Sequence, residues 1–89
     1  MFSYKLSEIA DSMNAKLVGN PAQVIESIWI DSRHIVLAKN GMFFALKGAQ
    51  IDGHSYVKSA YDKGIRNFVV NKITEDLEGA NFVIVDSPK

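Results

Sequence analysis

Met42-Phe43-Phe44-Ala45-Leu46-Lys47-Gly48-Ala49-Gln50-Ile51-Asp52-Gly53-His54-Ser55 passes from a strand through a loop into the start of a helix. Met42 to Leu46 is a continuous apolar run, the pattern of a strand covered on both faces rather than one with a wet side. Gly48 ends it. Gly48 to Gly53 is a short segment with a glycine at each end, so its backbone can come close to a ligand before a helix opens near His54. In α/β sheets ligands sit at such strand ends.

Gly48, four residues, Gly53, His54 and Ser55 match the phosphate-binding P-loop spacing everywhere except at its lysine, where His54 stands. Without that lysine nothing reaches the terminal phosphates of a nucleoside triphosphate, so this loop is not read as an ATPase loop. Backbone N–H groups at a helix start can still hold a phosphate or diphosphate. A connection whose glycines serve only tight turns explains the same residues, and the loop alone leaves both readings open.

Working outward, Val57, Ala60 and Tyr61 share one face of the helix that starts around Gly53 to Ser55, and Gly64 is placed to end it. Asn67 to Val70 is the next buried strand, which predicts a right-handed β-α-β unit with Met42 to Leu46. Tyr56 and Tyr61 read as packing groups rather than a stacking platform for bases. Ile73 to Gly79 is polar and acidic, with at most a short helix, and Phe82 to Val85 is a last short strand. Asp86-Ser87-Pro88-Lys89 has the composition of a domain exit, which predicts a longer parent chain.

Upstream, Leu6, Ile9, Ala10 and Met13 recur at helical spacing, with Ser7 as the expected N-cap and Asn14 as the expected left-handed residue at the end. Ala15 to Val18 reads as a strand closed by Gly19-Asn20-Pro21. Val24 to Ile30 reads as one strand, with Ile28 and Ile30 on one face and Trp29 on the other. It runs into Asp31-Ser32-Arg33, expected beside the Gly48 to Gly53 loop. Those three residues are candidates for a site; an Asp31–Arg33 ion pair with Ser32 merely turning the chain is the competing explanation. His34 to Asn40 carries Ile35, Val36 and Leu37, and Asn40-Gly41 is a turn dipeptide.

Composition narrows the function. At 89 residues the chain makes one domain with a single modest core. Hydrophobic residues at 47% and charged residues at 22% are ordinary for a globular domain and argue against a disordered arm. Lysine plus arginine equals aspartate plus glutamate at 10 each, so no bulk field favours nucleic acid or an anionic membrane. The absence of cysteine excludes disulfides, thiolate zinc sites and thiol nucleophiles. His34 and His54 form no metal site by themselves and read as structural or surface residues. Met1 to Leu6 has neither the basic head nor the apolar run of a signal peptide, and no segment approaches a membrane span, so a cytoplasmic location is expected.

In this order, Ile30-Asp31-Ser32-Arg33, Phe43-Phe44-Ala45-Leu46-Lys47-Gly48, Asp52-Gly53-His54, Ala60 with Gly64, and Phe68-Val69-Val70 resemble the N-terminal domain of the Mur ligases, which build the peptide stem of peptidoglycan. The resemblance covers residues 24 to 86. It implies an α/β fold with a small, mostly parallel sheet and flanking helices, holding the uridine diphosphate end of a UDP-N-acetylmuramoyl-peptide. It also implies a longer ligase whose central domain binds ATP and Mg2+ and whose C-terminal domain binds the incoming amino component, while this domain carries no catalytic residue and no cofactor. The family's nucleotide-contacting serine falls on Ser32, the contact before the aspartate on Ile30, and the substrate loop on Ala49, Gln50 and Ile51.

Leu6-Ser7-Glu8-Ile9-Ala10 followed by Lys16-Leu17-Val18-Gly19 is most similar to the member that adds D-alanyl-D-alanine to the UDP-linked tripeptide, and the member adding the third stem residue shares the later motifs. Gly64 to Val70 also resembles versions fused to an alanine racemase. The segment between Arg33 and Met42 departs from the family by its length, and by Lys39-Asn40-Gly41 where the pattern has Pro-Gly. Chemically, the Ser32 hydroxyl, the Gln50 amide and the backbone N–H groups at 50 to 52 are neutral donors suited to uracil carbonyls and diphosphate oxygens. Arg33 and Lys47 have Asp31 and Asp52 as neutralising neighbours, and Asp52 and Gly53 read as helix-start residues. A protein-binding α/β module is the alternative from another class; it requires an exposed apolar patch, for which Trp29 and Ile35-Val36-Leu37 are the candidates.

Overall fold

The computed structural model describes residues 3–30, 35–36, 38–45, 56–71, 73 and 77–85. Along these the chain forms β1 (Tyr4–Lys5), α1 (Leu6–Ser12), β2 (Lys16–Val18), β3 (Val24–Ile25), β4 (Ser27–Trp29), β5 (Gly41–Ala45), α2 (Val57–Asp62), β6 (Asn67–Val70) and β7 (Asn81–Ile84). A five-stranded sheet has the order β2-β7-β6-β5-β4, and β1 and β3 make a separate two-stranded ribbon. β4, β5, β6 and β7 run parallel; β2 lies antiparallel to β7 at one edge.

The apolar runs fill both faces of this sheet. Successive strand residues point to opposite sides, so Phe43, Ala45, Phe68, Val70 and Phe82 pack with Val57 and Ala60 of α2 and with Ile65. Met42, Val69 and Val83 pack on the other side with Leu6 and Ala10 of α1 and with Ile25. Phe68 joins two rings: Phe43 meets it edge-on at 6.5 Å, and Phe82 stacks on it at 5.7 Å. The expected strand at Met42 to Leu46 is β5, buried except for a half-buried Phe44, while Leu46 lies outside the described residues. β6 spans the predicted Asn67 to Val70, and β7 starts one residue before the predicted Phe82.

Both helices close with the same device. Asn14 has φ 53 and Gly64 φ 107. At the end of α1 the Asn14 N–H donates to the Asp11 carbonyl at 3.1 Å and the Ala15 N–H to the Ala10 carbonyl at 2.9 Å; at the end of α2 the Gly64 N–H donates to Tyr61 at 2.9 Å and the Ile65 N–H to Ala60 at 3.1 Å. These paired bonds occupy helix-terminal carbonyls in a Schellman arrangement. Ile65 and Ala60, which face each other across the second closure, are both 0% exposed.

Two sequence expectations need correction. Ser7 is not the N-cap of α1. The helix starts at Leu6, directly after β1, with Lys5 in the cap position. The Lys5 N–H donates to the Glu8 carboxylate at 2.9 Å. The Leu6 and Ser7 N–H groups donate to the Gln23 and Pro21 carbonyls at 2.7 and 3.0 Å, so a distant turn satisfies the orphan donors that a local hydroxyl was expected to serve. Likewise Val24 to Ile30 is two strands rather than one. Val24 and Ile25 pair with Lys5 and Tyr4, whereas Ser27 to Trp29 pair with Gly41 to Phe43. The break falls at Glu26, whose N–H donates to the Asn40 carbonyl at 2.8 Å.

Candidate functional site

The site predicted from sequence depends on two strand ends. β4 and β5 are parallel neighbours, with Ser27, Ile28 and Trp29 opposite Gly41, Met42 and Phe43. Their C-terminal ends therefore belong to one edge of the sheet. From β4 the chain continues through Ile30 into 31–34, and from β5 into 46–55. That edge is where open parallel sheets take ligands.

Of the five candidate contacts, Ile30 is described. It follows β4 directly and is 80% exposed. Ser32, Ala49, Gln50 and Ile51 lie outside the described residues, as do Asp31, Arg33, His34, Lys47, Asp52, Gly53 and His54. The alternation expected around Trp29 holds, since Trp29 packs against the α2-side core while Ile28 is 44% exposed. Trp29 Nε1 donates to Ser27 Oγ at 3.1 Å.

The entry to β5 sets its register against β4. The expected turn at Asn40-Gly41 is present: Asn40 has φ 55, and the Gly41 N–H donates to the Ala38 carbonyl at 2.9 Å. Asn40 Oδ1 accepts from Gln23 Nε2 at 3.1 Å, and Asn40 Nδ2 donates to Glu26 Oε1 at 2.8 Å. One side chain thus joins the turn before β5 to the residue that precedes β3 and to the break between β3 and β4.

Other surfaces carry less. Among the described residues no three His, Cys, Asp or Glu side chains are grouped to hold a metal ion. No helix there is long and apolar enough to cross a membrane. An open groove on the α1 side is lined by Tyr4, Glu8, Ile9, Ser12 and Ile28, and its one carboxylate already accepts the Lys5 N–H. Of the apolar patch required by a protein-binding module, Trp29 and Ile35 pack against the core and Val36 is 88% exposed; Leu37 lies outside the described residues. Tyr61 is a packing group, as expected: its hydroxyl donates to the Glu78 carbonyl at 2.6 Å and the Arg66 guanidinium lies 3.8 Å from its ring centre. Tyr56 is 41% exposed.

Asn67 and Asn81 escaped the sequence reading. They are 2% and 7% exposed and hydrogen-bonded to each other at 2.8 Å, at the opposite end of the parallel strands from the candidate edge. The available signal was the repeated word Asn-Phe-Val at the head of both strands.

Residues 24–88 match the family described as "Mur ligase family, catalytic domain". The chain is 31% identical over 87 residues to UDP-N-acetylmuramoyl-tripeptide--D-alanyl-D-alanine ligase of Haemophilus influenzae, covering 98% of this chain and 19% of that protein. It is 33% identical over 84 residues to UDP-N-acetylmuramoyl-L-alanyl-D-glutamate--2,6-diaminopimelate ligase of Phocaeicola vulgatus, covering 92% and 17%. In fold it is similar to the solved UDP-N-acetylmuramoylalanyl-D-glutamyl-2,6-diaminopimelate--D-alanyl-D-alanyl ligase of Acinetobacter baumannii, with a TM-score of 0.83 and 20% identity over 98% of this chain and 19% of that one. The chain thus spans about a fifth of the length of these relatives. Their names lend no support to an alanine racemase fusion.

Proposed function

Since the chain belongs to the Mur ligase family, we propose that it is the N-terminal substrate-binding domain of a longer cytoplasmic ligase and holds the uridine diphosphate end of a UDP-N-acetylmuramoyl-peptide. The observation that carries this reading is the parallel pairing of β4 with β5, which brings the C-terminal ends of the two strands preceding 31–34 and 46–55 in the sequence to one end of the sheet. Ser32 and Gln50 supply neutral donors to the nucleotide and diphosphate, backbone N–H groups at 50 to 52 add further donors, and Ala49, Ile51 and Ile30 complete the contact.

Binding and orientation are the whole task of this domain. The reaction of the parent enzyme, acyl-phosphate formation and amine attack, needs ATP and Mg2+ on its central domain and the amino component on its C-terminal domain. The proposed parent adds D-alanyl-D-alanine, a reading supported by the match to the Haemophilus influenzae ligase over 98% of the chain, including α1 and β2. A second reading, addition of the third stem residue, is favoured by the relatives that add 2,6-diaminopimelate, one of them 36% identical over 69 residues.

Calorimetry of the parent protein with UDP-N-acetylmuramoyl-tripeptide tests the site. A hydrogen bond to a charged acceptor contributes roughly 1.5–3 kcal/mol, so Ser32→Ala and Gln50→Ala are each expected to weaken binding by about tenfold to a hundredfold. Unchanged affinity in both variants contradicts the assignment. Turnover with the tripeptide plus D-alanyl-D-alanine, compared with the dipeptide plus diaminopimelate, separates the two parent activities.

A further inference from the structure

β6 and β7 begin almost identically, Asn67-Phe68-Val69-Val70 and Asn81-Phe82-Val83-Ile84. In a half-buried strand the alternation of apolar and polar residues fixes register, because a one-residue slip turns the apolar set toward water. That signal is absent here. Both faces are covered, so a slip exchanges apolar for apolar on each side and is opposed mainly by packing.

The asparagines supply a polar marker in its place. Asn67 and Asn81 are register partners on adjacent strands. Asn67 Nδ2 donates to the Gly41 carbonyl at 3.0 Å, and Asn81 Nδ2 donates to Asn67 Oδ1 at 2.8 Å. Asn81 Oδ1 accepts the Asn20 N–H at 2.8 Å. The relay runs from the entry of β5 across β6 and β7 to the turn after β2. Gly19 makes room for it: a Cβ there would run into Asn81 Oδ1 and lie 2.9 Å from the Asn81 Cβ and Cγ.

We propose that this buried amide relay is a register lock for the parallel sheet, contributing little net stability and selecting one alignment of β5, β6 and β7 among those the apolar pattern tolerates. Completed hydrogen bonds add only modest stability, because water offers equivalent ones to the unfolded chain, whereas an amide stranded in the core carries its full desolvation cost. A slip strands several polar groups together. The selected alignment sets Ala45, Val70 and Ile84 abreast, and so fixes where the chain leaves the opposite edge.

Urea unfolding and two-dimensional NMR of the 89-residue chain test the proposal. Asn81→Ala strands Asn67 Oδ1 and is expected to lower the folded-to-unfolded ratio about tenfold or more. The apolar pairs Asn67→Leu with Asn81→Leu, and Asn67→Val with Asn81→Val, strand no side-chain amide, and only the Asn20 N–H and the Gly41 carbonyl lose a partner, so they are expected to lower it less than that single change does. They are also expected to give more than one set of β6 and β7 resonances, or to lose the cross-strand contacts between Phe68 and Phe82. An apolar pair that keeps one set of resonances with native contacts overturns the proposal, because packing then fixes register unaided. Failure of both pairs to fold overturns it too, since the relay would then be a source of stability.

Discussion

Gly19 and Gly79 separate two reasons for needing glycine. Gly19 has φ 128 and sits against Asn81, whereas Gly79 has φ 77 with no atom of the described residues within 4 Å of an added Cβ. Gly79→Ala is expected to cost about 1 kcal/mol, from backbone strain alone. Gly19→Ala adds a clash with a buried hydrogen-bonded amide and is expected to cost at least about 2–3 kcal/mol. Urea denaturation of the two variants checks the order, and equal losses would remove the steric part of the argument. Single-residue signals of this local kind are legible in the sequence: Asn14, Asn40 and Gly64 have the character of turn or helix-end residues and all have positive φ. Asn67 and Asn81 were not legible. An asparagine at the head of a strand looks like the end of a turn, and only the register brings the two amides together.

Among the elements, β5, β6 and β7 could be read from the sequence because a strand buried on both faces needs an unbroken apolar run, whatever its partners are. The break at Glu26 was hidden for the complementary reason. β-branched and aromatic content says that Val24 to Ile30 is extended, but not that its first half pairs with β1 and its second with β5. The cap of α1 failed similarly, since a local rule selected Ser7 while the acceptors came from Pro21 and Gln23. β6 is the element on which the core depends most: Phe68 is 0% exposed and meets both Phe43 and Phe82. Phe68→Ala is expected to cost about 3–5 kcal/mol. For a chain of this size such a loss approaches the whole stability, so the far-ultraviolet circular dichroism of the variant should already show a substantial unfolded fraction at 37 °C. Retention of a fully cooperative, native-like melt would contradict the central position of β6.

For the whole molecule, the parallel strands have two unlike ends. Their N-terminal ends carry the Asn67–Asn81 relay and the Gly19–Asn20 turn. The C-terminal ends of β4 and β5 lead into 31–34 and 46–55, the segments that carry the proposed nucleotide contacts. The relay and the proposed ligand contacts thereby fall at opposite ends of one sheet, so substitutions at the first end should change stability before they change affinity. The sheet order that makes this division is only partly legible: the apolar runs and the helix between them pair β5 with β6 through α2, but nothing in the sequence gives a position to β2. Its antiparallel pairing with β7 rests on contacts between residues far apart in the chain.

The most direct measurement is a titration of the isotopically labelled parent protein with UDP-N-acetylmuramoyl-tripeptide, followed by backbone amide shifts. The predicted result is a contiguous set of perturbations at residues 30–33 and 46–52, with Gly19, Asn67 and Asn81 unmoved. Perturbations centred instead on the Tyr4–Ile28 groove or on the relay end of the sheet would contradict the account, as would saturating binding that leaves this domain silent.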